Sequence, residues 1–121
     1  MTILPGGVVL VQLPVAVGPV KPRPGLVVAE FPGAHKDYLV TGISTQLRHY
    51  IPGWDEMMDQ LQPDFASSGL RHPSIVRLSH LHNVAHPHVL GQLGLIGTPR
   101  LERLINRLIE HLRPSAGIPY S

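Results

Sequence analysis

Proline and glycine cut most of this chain into short runs, and that punctuation limits the fold more than any other feature. With 13 Pro and 12 Gly in 121 residues, a long helical stripe survives only at the carboxyl end. Residues 8 to 13 (Val-Val-Leu-Val-Gln-Leu) form a β-branched run between Gly6-Gly7 and Pro14, which predicts a strand buried on most of both faces. Residues 14 to 24 hold four prolines and one glycine and read as a stiff exposed loop. Residues 25 to 31 predict a second strand, stopped by Pro32-Gly33, and residues 37 to 43 a third, so the short linker between them implies an antiparallel hairpin. Two helical turns are predicted over 54 to 61, an ordered loop over 62 to 69, and strands over 74 to 81 and about 89 to 96. Within 74 to 81, Ile75, Arg77 and Ser79 alternate with Val76, Leu78 and His80, the period of a strand with unlike faces.

After Thr98, which can cap, and Pro99, which suits the first helical position, Leu101, Leu104, Ile105, Leu108, Ile109 and Leu112 repeat at helical spacing until Pro114. Arg100, Arg103 and Arg107 fall off that stripe. The expectation is a single α+β domain over residues 1–121, a small antiparallel β-barrel closed by a carboxyl-terminal amphipathic helix.

The absence of cysteine excludes disulfides and thiolate metal sites and fits a reducing cytoplasm. An amino terminus broken by Pro and Gly, and no apolar run near the roughly 20 residues that span a bilayer, predict a soluble, unexported protein. The net charge of +2 is too small to announce a polyanion partner, but it is unevenly spread: residues 55 to 64 carry four acids, and residues 65 to 121 six arginines against two acids. Eight of the ten cations are Arg, whose planar fork favours bidentate phosphate contacts.

The segment Lys21-Pro22-Arg23-Pro24-Gly25-Leu26-Val27-Val28 sets a permanently charged guanidinium at a strand entrance, where proline fixes the backbone. It occurs in order with Gly6-Gly7-Val8-Val9-Leu10-Val11 before it and, after it, Ile43-Ser44-Thr45-Gln46, Gly69-Leu70-Arg71-His72-Pro73-Ser74-Ile75-Val76-Arg77-Leu78 and a Leu93-Gly94 pair ahead of the terminal helix. With these motifs in register from about residue 5 to about residue 112, the chain resembles the MazF/PemK family of bacterial toxins.

That resemblance implies an SH3-like barrel, usually homodimeric, acting as a metal-independent endoribonuclease of a type II toxin–antitoxin pair on single-stranded RNA, with no cofactor and a cognate antitoxin as protein partner. It maps the catalytic pair onto Arg23 and Ser44. Beyond that mapping, Lys21, Thr45, Gln46, Arg48, His49 and Arg77 are candidate RNA contacts, and His49 or His35, neither fixed by the family pattern, is a candidate proton-transfer helper. Elementary chemistry asks for the same groups: attack by a 2′-hydroxyl without a metal needs charge gathered on the phosphate oxygens and two assisted proton transfers. Two departures stand out, Ser79 where relatives often carry an acid, and a loop from Pro14 to Lys21 that lacks their polar residues.

Plainer readings compete. Arg23 can form a surface ion pair with Asp37 or Glu30, and Ser44-Thr45 a turn whose hydroxyls satisfy the backbone. Asp55, Glu56, Asp59 and Asp64 read as a solvated face, and Trp54, Met57 and Met58 as the packing side of a short helix. Two other functional classes are open: a catalytically silent SH3-like module that binds nucleic acid or protein, and a metalloprotein using His80, His82, His86 and His88.

Overall fold

The computed structural model describes residues 2–12 and 21–114. Six strands form one antiparallel sheet: β1 (Gly7–Gln12), β2 (Pro22–Phe31), β3 (Asp37–Ser44), β4 (Glu56–Met58), β5 (Ser74–Ala85) and β6 (Val89–Leu95), in the spatial order β4-β5-β3-β2-β1-β6. A one-turn helix, α1 (Phe65–Ser68), precedes β5, and α2 (Thr98–Leu112) follows β6. The architecture is α+β as expected, but the ladder does not close into a barrel, because β4 and β6 remain edge strands. The segment at α1 leans on β6 instead. The Ser67 hydroxyl donates to the Leu95 carbonyl at 2.9 Å, and a Cβ on Gly94 would lie 2.1 Å from the Ser67 carbonyl oxygen, so only glycine allows this approach.

The run predicted to be buried on both faces is β1. Val8 packs with Leu26, Val28, Ile43, Met58, Val76 and Leu78 beneath Leu104 and Leu108 of α2. Val9 and Val11 turn to the opposite face and join Val27, Tyr38, Val40, Val84 and Val89. Period-two alternation thus feeds two cores, which is why the strand shows no polar face.

Three expectations fail, each for a physical reason. The proline-rich loop, insofar as it is described, is already strand from Pro22: Pro22 and Pro24 pair with Gln12 and Leu10 of β1, while β2 meets β3 only from Gly25 onward. Proline is tolerated there because that edge of β2 has no neighbour. The rest of that loop, residues 14 to 20, lies outside the described residues. The helix predicted over 54 to 61 is a turn followed by β4, with Met57 opposite Ile75, and Asp55 and Glu56 are 2% and 7% exposed. The acidic run is therefore not a solvated face. Two of its carboxylates, Glu56 and Asp64, face the arginines that lie off the apolar stripe of α2.

Arg100 of α2 is 5% exposed and clamps Asp64 in a fork, Nε to Oδ2 at 2.8 Å and Nη2 to Oδ1 at 2.9 Å, while its Nη1 reaches Glu56 Oε1 at 2.9 Å. Arg103 and Arg107 take Glu56 from the same helix, at 2.8 and 2.5 Å. Asp64 also accepts the Gly97 amide at 2.9 Å, which places a carboxylate at the start of α2. That contact stands where a Thr98 cap was expected: Gly97 is the capping position and Thr98 the first helical residue.

Candidate active site

The β2–β3 ladder ends at the Gly25–Gly42 pair. Beyond it β2 follows β1 and β3 follows β5, with Arg23 opposite Val11 and Ser44 opposite Ile75. The two strands part, and a cavity of about 440 Å³ opens between them. Arg23 and Pro24 line one lip, and Ser44, Thr45 and Gln46 the other. Arg77, His80 and His82 of β5 complete the wall over Gly42 and Ile43. Among the described residues no carboxylate lines it.

The sequence-predicted residues thus separate cleanly. Arg23, Ser44, Thr45, Gln46 and Arg77 meet in the cavity. Arg48 and His49 sit beside it on a short 3-10 turn (Leu47–His49), Arg48 donating to Gln46 Oε1 at 2.7 Å and Arg77 lying 3.4 Å from His49 Nδ1. Because a guanidinium can only donate, His49 offers Nδ1 as the acceptor in that contact. Lys21 is exposed at the entrance to β2, outside the wall. His35 belongs to a different groove, with Lys36 and His86.

The plain reading of Ser44 is part of the answer: its Oγ accepts the Gln46 amide at 3.0 Å and forms the turn. Accepting that amide does not use the hydroxyl proton, which Ser44 retains for a donor role. The plain reading of Arg23 fails, since it pairs with neither Glu30 nor Asp37; among the described residues the ion pairs all belong to α2. Drawing Glu56 and Asp64 to α2 leaves the cavity's cations without a competing acid.

The four histidines considered as a metal set diverge. His80 and His82 line the cavity, whereas His86 Nδ1 lies 2.7 Å from the Tyr38 hydroxyl, and no group of three or more potential ligands converges among the described residues. Regular alternation would put Arg77 and His80 on opposite faces of β5, so it does not reveal His80 and His82 as cavity residues. The register explains why: Thr41 pairs with Leu81 but Gly42 with Arg77, so Leu78, Ser79 and His80 form a bulge. An isolated glycine within a β-branched run is the available signal, because such glycines mark bulges and close approaches.

Side chains hold that bulge in place. Thr41 Oγ1 donates to the Arg77 carbonyl at 2.5 Å, Asp55 Oδ1 accepts the Leu78 amide at 3.1 Å, and the Trp54 indole donates to the Ser79 hydroxyl at 2.7 Å. A Cβ on Gly42 would fall 3.3 Å from the His80 Cβ, so the imidazole lies directly over the glycine. His80 is exposed overall, yet loss of water on its packed side, reinforced by the positive charge of Arg77 and by His82 and His49, holds it below the ordinary histidine range against a smaller opposing pull from Asp55.

Two solved structures share this arrangement of strands and helices. An endoribonuclease in complex with its cognate antitoxin, from a mycobacterial species, matches with a TM-score of 0.63 at 18% identity, over 99% of this chain and 100% of that one. An endoribonuclease from a mycobacterial species matches with a TM-score of 0.62 at 17% identity, over 98% and 95% of the two chains. The chain has their fold. At that identity the likeness is one of backbone over the full length. No protein-family model matches the sequence, and no curated protein does.

Proposed function

We propose that this protein is a metal-independent endoribonuclease of the MazF/PemK kind, the toxin of a type II toxin–antitoxin pair, which cleaves single-stranded RNA by attack of a 2′-hydroxyl on the adjacent phosphate. The observation that carries the reading is the cavity with Arg23 on one lip, Ser44 on the other and no acid among its lining residues. A phosphodiester between the lips meets the Arg23 fork, which grips two non-bridging oxygens and gathers the charge that develops on them. Ser44 donates its hydroxyl proton as a hydrogen bond to the phosphate, and Arg77 supplies a second positive charge from the wall. Thr45, Gln46, Arg48, His49 and Lys21 extend the contact surface along the strand. An open cleft suits splayed, unpaired nucleotides better than a duplex.

The fold shared with two endoribonucleases, one of them in complex with its cognate antitoxin, supports the same activity and an antitoxin partner here. Exposed Leu90, Leu93 and Leu95 on the edge strand β6, whose far end is already covered by the α1 segment, supply apolar surface for a homodimer. Among the described residues no helix is long and apolar enough to cross a membrane; a cytoplasmic site of action is part of the same proposal.

Incubating the protein with a mixed RNA in chelator and mapping the new ends tests the reading: discrete cuts leaving 2′,3′-cyclic phosphate and 5′-hydroxyl ends are expected. A second reading, a silent binding module, draws on Ser79, whose hydroxyl is held by Trp54 where relatives often carry an acid. RNA retained without new ends would favour it.

A further inference from the structure

The geometry points to His80 and His82 as the proton-transfer pair of the cleavage reaction, His80 accepting the proton of the attacking 2′-hydroxyl and His82 donating one to the departing 5′-oxygen. This inference rests on the nuclease reading above and supplies what Arg23 and Ser44 lack, since a guanidinium cannot serve as a base at neutral pH and no imidazole or carboxylate adjoins Ser44 in sequence.

Both rings line the same cavity as Arg23 and Ser44. They are two residues apart on β5, and the bulge at Leu78, Ser79 and His80 swings the first of them over Gly42. That bulge is braced at consecutive residues from three directions, by Thr41 on the Arg77 carbonyl, Asp55 on the Leu78 amide and Trp54 on the Ser79 hydroxyl. Such bracing fixes the direction of a side chain that a regular strand would point elsewhere.

In the reaction the 2′-oxygen–phosphorus bond forms and the phosphorus–5′-oxygen bond breaks. The 2′-hydroxyl proton passes to His80 and the 5′-oxygen takes the His82 proton, leaving a cyclic phosphate and a free 5′-hydroxyl, with no oxidant or cofactor required. The surroundings of His80 suit the role of acceptor: loss of water on its packed side and the charge of Arg77, aided by His82 from β5 and His49 from the 3-10 turn, outweigh the acid Asp55 and favour the neutral ring, while Arg23 faces it across the cavity from β2.

The test compares wild type, His80→Gln and His82→Gln on a short RNA and on the same RNA with sulfur in place of the scissile 5′-oxygen, a leaving group that needs no proton. Each variant is expected to lose about 10²- to 10⁴-fold on the oxygen substrate, and each to bind a 2′-deoxy analogue as tightly as wild type. The sulfur substrate should restore His82→Gln to near the wild-type rate and leave His80→Gln slow. The rise of kcat/KM with pH should disappear in His80→Gln alone. Cleavage by His80→Gln at the wild-type rate, rescue of His80→Gln rather than His82→Gln by sulfur, or loss of analogue binding in either variant would overturn the assignment while leaving the nuclease reading standing. A wild-type protein that cuts neither substrate would overturn the nuclease reading itself.

Discussion

Asp55 accepts the backbone amide of Leu78 at 3.1 Å with one carboxylate oxygen and that of Ile51 at 2.9 Å with the other. One side chain thus satisfies an amide in the bulge of β5 and ties it to the turn that leads into β4. The bond to Leu78 is buried, with Asp55 2% exposed, so that amide has no easy substitute in water, whereas the bond to Ile51 is part-buried.

Asp55→Ala is therefore expected to cost about 1–3 kcal/mol, the cost of leaving the buried Leu78 amide without its acceptor. Urea unfolding measures this through a lower midpoint at unchanged slope. Under conditions where the variant remains folded, RNA cleavage should still fall, because the bulge that aims His80 loses a brace. A midpoint matching wild type would contradict the reading of Asp55 as a structural clamp.

The clamp at α2 sets the acid limit of stability. Fork-like hydrogen bonds from Arg100, opposed by burial and aided by the Gly97 amide, hold Asp64 at about 2. Burial alone would raise Glu56, but hydrogen bonds from Arg103 and Arg107 outweigh it and hold it below the ordinary carboxylate range. Both groups are depressed on folding, so the folded state binds fewer protons than the unfolded chain. Their contribution is complete above about pH 5 and is lost as pH falls through about 4 towards 2. For Asp64 it amounts to roughly 2 kcal/mol. Melting temperature measured from pH 6 to pH 2 should drop steeply in that window, and more shallowly in Asp64→Asn. Equal slopes in the two proteins would count against the clamp.

Much of this frame is legible in the sequence, because local signals and tertiary needs agree there. Val8 to Val11 are apolar on both sides since both faces of β1 are covered, and Leu104 and Leu108 point inward as helical spacing requires. The acidic run misleads because a carboxylate's partner can lie far along the chain: Glu56 meets Arg100, Arg103 and Arg107, 44 to 51 residues away. Motif order singles out Arg23 and Ser44, and the cavity between them arises from a ladder that stops at Gly25 and Gly42. His80 stays hidden because a bulge shifts the faces of a strand, and strict alternation then misassigns the residues beyond it.

Ser44→Ala should slow cleavage by about 10- to 100-fold, the worth of one hydrogen bond to a charged group at roughly 1.5–3 kcal/mol. Loss of the Gln46 amide's acceptor occurs at an exposed turn, so the melting temperature should hardly move. Steady-state kinetics on a defined RNA separate a fall in kcat from a rise in KM; a fall confined to affinity would assign Ser44 to binding rather than to the reacting phosphate.

Arg77→Gln should weaken RNA binding at low salt and flatten its salt dependence, the slope of log K against log salt decreasing by about 0.7 for one lost phosphate contact on a single strand. Binding of a 2′-deoxy analogue followed by fluorescence anisotropy at several salt concentrations gives the slope. An unchanged slope would remove Arg77 from the phosphate contacts.

Central to the proposed activity is that a guanidinium and a hydroxyl on the parted ends of β2 and β3 act on one phosphodiester. Single-turnover cleavage of a short RNA in chelator, wild type against Arg23→Ala, addresses it most directly. Rapid cutting by wild type is expected, with a loss of about 10²-fold or more in the variant and an unchanged melting temperature, because Arg23 is exposed and unpaired among the described residues. Equal rates for the two proteins, or no cleavage by wild type on any RNA, would contradict it.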